Sequence, residues 1–224
     1  MSRYTVAGSE GQYEKNSDER VLANKLGIAD ANEIDSVELV LLEQLYRSVF
    51  EEHFPTGLLS VNILKKWHYR WLGNIYAWAG QERTVNISKG DFMFAPSAQL
   101  AKLLNDFDKK YLAHYTPCSG MSELQLTEAI AVTHVELILI HPFREGNGRL
   151  SRLLADVMAV QAGYKPLNYQ SWEQNPVYIG YPCRFDSGLS TDETLGQHGL
   201  KKGLGKTKMR IFFARGFKTL FNSG

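Results

Sequence analysis

The chain has 224 residues, with 25 Lys and Arg against 24 Asp and Glu, a formal net charge of +1, 44% apolar and 22% charged residues. This is an ordinary globular mixture, sized for one domain with ample core and with no charge excess that would call for nucleic acid. No apolar run approaches a membrane span, the first twenty residues lack the apolar centre of a signal peptide, and Cys118 and Cys183 show neither metal spacing nor a disulfide framework, so a cytoplasmic chain is expected.

In chain order, residues 32–53 read as a long amphipathic helix through Val37, Val40, Leu41, Leu45 and Val49. Residues 60–72 read as another, through Ile63, Leu64, Trp67 and Trp71. Residues 83–94 alternate nearer period two, with Val85, Ile87, Phe92 and Phe94 on either side of Lys89-Gly90, the pattern of a short hairpin turning on glycine. Helix resumes over 97–114. Residues 121–140 place Leu124, Ile130, Val135 and Ile138 at helical spacing, and Ser122 with Gln125 forms a capping box. Pro142 stops that helix, because it donates no N–H and disfavours α geometry at His141. Residues 149–163 form a further helix with a broad face of Leu150, Leu153, Leu154, Val157 and Met158, closed by Gly163. Trp67, Trp71, Tyr76 and Trp78 are read as core rather than as an aromatic ligand box. The fold class is mainly α, a helical bundle with a small β-hairpin.

Between the last two helices lies His141-Pro142-Phe143-Arg144-Glu145-Gly146-Asn147-Gly148-Arg149. Gly146, Asn147 and Gly148 stand at a helix N-terminus, where backbone N–H groups and the helix dipole favour an anion. Arg149 adds a planar fork suited to phosphate oxygens, and Arg152, three residues on, can reach the same anion. Alone, each residue is ordinary: a lone His is more often structural, a lone Gly-x-Gly is usually a turn, and Phe143 reads as a loop anchor. Together they supply a base, a carboxylate for a metal and an anion site in one loop, the equipment of phosphate-group transfer.

HPFREGNGRxxR resembles the signature of Fic-domain proteins, HPFx(D/E)GNGRxxR, at every specified position. The resemblance extends to residues 74–94 (NIYAWAGQERTVNISKGDFMF), similar to the family's flap segment, to residues 16–27 and 31–72, similar to its leading helices, and to residues 156–172 after the signature. It implies the Fic fold, with a hairpin flap beside the active-site loop, and transfer of AMP from ATP to a Tyr, Thr or Ser hydroxyl of a target protein. It further implies His141 as general base and Glu145 as the Mg²⁺ ligand. Phe143, Gly146, Asn147, Gly148, Arg149 and Arg152 become the nucleotide-binding set. The flap Thr84, Val85, Asn86, Ile87, Ser88, Lys89 and Gly90 would clamp the target by strand addition to an exposed edge. Kinase relatives carry Lys at the position of Gly148, so Gly148 favours nucleotidyl transfer; phosphocholine transfer and an inactive binding module stay open as alternatives. The family's inhibitory helix, (S/T)xxxE(G/N), has no match. Ser48 does reach Glu52, but inside a core-type helix and followed by His53. A separate antitoxin is therefore an expected partner, alongside the target protein.

Three regions follow: an arm over 1–12, a Fic domain over 13–179, and a tail over 180–224. Residues 201–224 hold seven Lys and Arg and no Asp or Glu. GYPCRFDSGLSTDET can be encoded so that a neighbouring frame reads Ala-Ile-His-Ala-Gly-Leu-Thr-Gln-Asp-Tyr-Arg-Pro-Met-Lys, which resembles the usual family ending. We therefore read residues from about Gly180 as a frameshifted tail. The lesser reading of the tail is a basic amphipathic segment for a membrane surface or nucleic acid.

Overall fold

The computed structural model describes residues 5–7, 11–90 and 92–169. The tail over 180–224, and with it the frameshift reading, lies outside these residues. The elements in chain order are β1 (Thr5–Ala7), α1 (Ala31–Arg47), α2 (Val61–Leu72), β2 (Asn86–Lys89), β3 (Phe92–Met93), α3 (Leu100–Phe107), α4 (Ala113–Tyr115), α5 (Glu123–Ile140) and α6 (Asn147–Gln161). Short π-type turns follow α1 at Ser48–Glu52 and α3 at Asp108–Leu112.

The helix starts are written in local chemistry. Asp30 accepts from the Glu33 amide at 2.9 Å to open α1, and Ser60 caps α2. Ser122 and Gln125 make the reciprocal capping box of α5. α5 is buried on nearly every side and runs through the centre of the bundle, with Val135, Ile138 and Ile130 fully covered. Its first-turn Leu124 is 73% exposed, beyond the reach of neighbouring helices. α6 packs back on α5 and buries Leu150, Leu153, Leu154, Val157 and Met158. The core joins these to Trp67 and Trp71 of α2, Leu104 and Phe107 of α3, and Ile75 and Tyr76. The expected helices end closer to their signals than their outlines suggested: 32–53 and 97–114 are each broken by a π-type turn.

Three expectations about the fold need correction. Residues 16–27 are not helical. Asn16, Asp18 and Glu19 have positive φ, the Ser17 hydroxyl donates to Glu14 O, and the Asn24 side chain donates to Leu22 O and Ile28 O while accepting from Leu26 and Ile28. Such side-chain to backbone bonds compete with a helix, and here they replace it. In α1, the inward positions are Ile34, Glu38 and Leu45, whereas Val40 is 52% exposed.

The small sheet is antiparallel in the order β1-β2-β3, with Thr5 opposite Ser88, Val6 opposite Ile87, and Ser88 opposite Met93. The edge of β2 facing away from β3 is therefore not open, as the sequence reading had it, but paired with the N-terminal residues. Among the described residues no helix is long and apolar enough to cross a membrane.

Candidate active site

The loop between α5 and α6 is built by two left-handed residues. His141 ends α5 at φ 49, and Gly146 opens α6 at φ 80. Gly146 cannot carry a side chain: a Cβ there would stand 2.7 Å from the Trp71 ring. Gly148, two residues on, faces open space.

His141 is fully buried, its ring stacked 3.7 Å from Phe94 at the foot of the flap. Its Nδ1 lies 3.2 Å from Ile138 O. A carbonyl only accepts, so Nδ1 carries the proton and the lone pair is on Nε2, the tautomer of a base. Burial pushes the imidazole from its ordinary range down to about 3; the Ile138 bond opposes this, while the charges of Arg83 and Lys89 add to it. The near-neutral value suggested by the residue type alone thus does not hold in the closed site. At physiological pH His141 is neutral.

Arg83 joins flap and loop. It is 3% exposed, and its guanidinium donates to His141 O at 2.7 Å, Val85 O at 2.6 Å, Ala95 O at 2.5 Å and Ile140 O at 3.3 Å; its amide donates to Pro142 O at 2.8 Å. Within the flap, Val85 and Ile87 are buried with Phe94, Asn86 and Gly90 are exposed, Thr84 is exposed before β2, and Ser88 and Lys89 are half-buried.

Below the loop, Phe143 is 2% exposed and stacks 4.0 Å from His68. Its ring is an anchor in the core and turns no face to a ligand. His68 accepts from the Gly80 amide at 2.8 Å on Nδ1 and donates from Nε2 to Glu145 O at 3.0 Å; burial holds it neutral, down to about 4. Asn147 brackets the turn, accepting from the Phe143 amide at 2.9 Å and donating to Phe143 O at 2.8 Å. Its side chain shapes the loop, and what it offers an anion is its amide at the start of α6. Glu145 accepts from the Gly146 amide at 3.0 Å and faces a cleft of about 230 Å³, lined also by Arg20, Asp35, Glu38, Tyr76 and Arg144.

The two motif arginines diverge. The Arg149 side chain is 20% exposed, lies 4.6 Å over the Trp71 ring, and donates to Glu38 at 2.7 Å. Arg152 is 6% exposed and lies 5.9 Å from the Tyr169 ring. Next to it Asp156 accepts from Tyr46 at 3.0 Å, Tyr169 at 3.2 Å and the Leu167 amide at 2.9 Å. Burial outweighs these bonds and raises Asp156 to about 6. The fold thus brings His141, Glu145 and Gly146 to Arg149 together, with Arg152 one turn deeper.

Glu38 and His68 escaped the sequence reading. The signal for Glu38 was a carboxylate four residues after Ile34 on a helix whose later inward position is Leu45. His68 had none, since both its nitrogens bond backbone. Ser48, donating to Glu52 at 2.8 Å, turns that carboxylate onto its own helix.

Residues 58–159 match the family model described as the Fic/DOC family. The chain is 28% identical over 145 residues to the probable protein adenylyltransferase y4lH of Sinorhizobium fredii, covering 65% of this chain and 73% of that protein. It is 32% identical over 146 residues to the protein adenylyltransferase VbhT of Bartonella schoenbuchensis, but spans only 30% of that protein's length. It is 32% identical over 116 residues to the probable protein adenylyltransferase Fic of Escherichia coli, covering 50% of this chain and 54% of that one. In fold it matches the N-terminal Fic domain of a Bartonella effector protein from Bartonella sp. AR 15-3, with TM-score 0.61, 23% identity, and 86% and 85% of the two chains covered. It also matches the Bartonella tribocorum BepC protein with bound AMPPNP, with TM-score 0.62, 20% identity, and 87% and 90% covered. In its loop, its bundle and its flap, this chain is similar to the Fic/DOC family over residues 58–159, and its fold is that of the Fic-domain structures.

Proposed function

We propose that this chain is a protein adenylyltransferase that moves AMP from ATP to a hydroxyl side chain of a target protein. The observation that supports this reading is the contact of His141 Nδ1 with Ile138 O, which leaves the ring's lone pair on Nε2, in the loop that runs directly into α6 and Arg149. The target oxygen attacks the α-phosphorus, the bond from that phosphorus to the oxygen bridging the β-phosphate breaks, and pyrophosphate leaves. His141 takes the hydroxyl proton. Burial keeps it neutral and so ready to accept, and the negative phosphates of bound ATP raise its proton affinity. Amides at the head of α6 and the Arg149 guanidinium face the charge that builds on the departing phosphates.

The one carboxylate at this turn, Glu145, fits Mg²⁺, a hard cation that takes one or two protein carboxylates and completes its shell with phosphate oxygens and water. When bound, Mg²⁺ neutralises polyphosphate charge. Phe143, Gly146, Asn147, Gly148 and Arg152 act as supports of the nucleotide site, Phe143 as the anchor of its loop. The target segment takes the place of β1 on the edge of β2 and so pairs with the flap over Thr84–Gly90, and a separate antitoxin supplies the inhibitory contact, for which the sequence has no (S/T)xxxE(G/N) match. BepC, crystallised with AMPPNP, supports an ATP-type ligand for the fold.

The test is label transfer from ATP to lysate proteins, followed by mass spectrometry of the modified peptide. Label from the α-position, with the mass of AMP on a Tyr, Thr or Ser, is expected with the wild-type chain. His141→Ala should lower transfer by at least about 10²-fold while ATP still binds. Label from the γ-position, or the mass of phosphocholine, would replace this reading by the corresponding alternative; no product at all would leave the binding module.

A further inference from the structure

We propose that Glu38 is a positioning residue for Arg149, a carboxylate clamp that presents the guanidinium to the polyphosphate. The inference rests on the nucleotide site described above. Glu38 lies on the inward face of α1 and is 3% exposed, far from the motif in sequence. One carboxylate oxygen receives Arg149 Nη2 at 2.7 Å, the other receives the Tyr76 hydroxyl at 2.8 Å, and the Glu38 carbonyl receives Trp71 Nε1 at 2.9 Å. Trp71 in turn lies 4.6 Å under the same guanidinium. Arg149 is therefore held along one edge by an anion and across one face by an aromatic ring.

Only one nitrogen is used in this way. The fork keeps its Nε and Nη1 donors for a ligand, in a plane already fixed before the ligand arrives. A buried carboxylate beside a phosphate-binding arginine could instead compete with phosphate. The geometry argues against competition. Glu38 is anchored from the far side by Tyr76 and by its own helix, so it cannot sweep across the site, and it engages an edge of the guanidinium rather than its whole fork. Trp71 also packs where a Cβ on Gly146 would stand, so the clamp and the anion loop share one wall.

The experiment is a cycle on the full chain: Glu38→Gln, Arg149→Ala and the double variant, with ATP binding measured by calorimetry and folding by thermal melting. Glu38→Gln should weaken ATP binding about tenfold. In the Arg149→Ala background the same change should alter it by less than about twofold, because a residue acting through Arg149 has nothing left to position. Tyr76→Phe, which keeps the charge and removes the far anchor, should weaken binding less and likewise only when Arg149 is present. Tighter ATP binding by Glu38→Gln, or equal losses in both backgrounds, would overturn the clamp; a general structural role gives the second result. Transfer of α-label by the wild-type chain reads the adenylyltransferase proposal separately: binding without transfer sinks that proposal and leaves the cycle readable. A wild-type chain that binds no ATP overturns both.

Discussion

Gly146→Ala and Gly148→Ala, two residues apart in one loop, should differ sharply. Gly146 has φ 80, and its added Cβ would meet Trp71 Cζ3 at 2.7 Å, Trp71 Cη2 at 3.0 Å and Leu72 Cδ1 at 3.4 Å. The left-handed backbone costs an L-residue about 1–2 kcal/mol. The contact adds overpacking of about 1–3 kcal/mol, because Trp71 and Leu72 are both fully buried and have nowhere to retreat. Together these give a loss of about 2–5 kcal/mol, a large part of the stability of a typical domain. Gly148 has ordinary φ and open space, so alanine there should change stability by no more than about 0.5–1 kcal/mol, and in the favourable direction. Urea unfolding followed by tryptophan fluorescence measures both. With a slope of about 2 kcal/mol per M, the Gly146→Ala midpoint should fall by about 1–2.5 M. A Gly146→Ala midpoint within about 0.3 M of the wild type would refute the packing argument, since strain and contact would both have been relieved at no cost.

Two further outcomes follow from the same structure. Burial lowers His68, His134 and His141 from an ordinary value of 6.5 to about 4, 3 and 3, so their contribution to stability is present above pH 6.5 and lost as pH falls toward 4. Asp156, raised from 3.8 to about 6, works in the opposite direction, its contribution being lost as pH rises through 6. Between pH 6 and pH 5 the unfolded chain therefore binds about two more protons than the folded one, and stability should fall by about 3 kcal/mol per pH unit; urea midpoints that stay level from pH 7 to pH 5 would contradict the neutral, buried state of these histidines. The second outcome concerns the flap. Ile87 accepts from the Phe94 amide at 3.1 Å on the β3 side, so strand alternation turns the backbone groups of Asn86 and Ser88 toward β1. Ala7→Pro removes the donor opposite Asn86 and should free that edge, raising α-label transfer to lysate proteins several-fold; unchanged transfer would count against this edge as the docking strand.

What could be read from the sequence is what is decided locally. The capping box at Ser122 and Gln125, the stop at Pro142, the apolar face of α6 and the position of the anion loop are each fixed within a few residues. Over 32–53 the reading placed Val37, Leu41, Leu45 and Val49 toward the core and misplaced only Val40; Glu38 was missed because the inward face of α1 holds a carboxylate. Glu38 can lie inside only because Trp71, Tyr76 and Arg149 meet it with donors, and those residues are 33 to 111 positions away. The segment over 16–27 lost its helix to side-chain bonds whose strength composition does not report. Three residues of β1 carry no period from which a pairing with β2 could be inferred, so the covered edge was invisible. Arg83 was noticed within the flap segment, but its five bonds to the loop and flap backbone depend on how those two elements meet.

These long-range contacts have a common direction. The carbonyl oxygens of the turn between α5 and α6 are taken by donors one after another: Ile140 and His141 by the Arg83 guanidinium, Pro142 by the Arg83 amide, Phe143 by Asn147, and Glu145 by His68. Each such bond satisfies the negative end of a peptide dipole inside the protein. The amides of Asn147, Gly148 and Arg149, in the first turn of α6, have no partner within that helix. A turn whose carbonyls are bound from behind and whose amides face forward is positive on its open side, whatever its charged side chains do. Arg149, held by Glu38, then adds a full charge to a field the backbone has already oriented. The buried residues His68, Arg83 and Asn147 thus do for the backbone of the loop what Glu38 does for its arginine. A sequence motif names the groups that would meet a nucleotide, and residues distant in the chain determine that those groups point toward it.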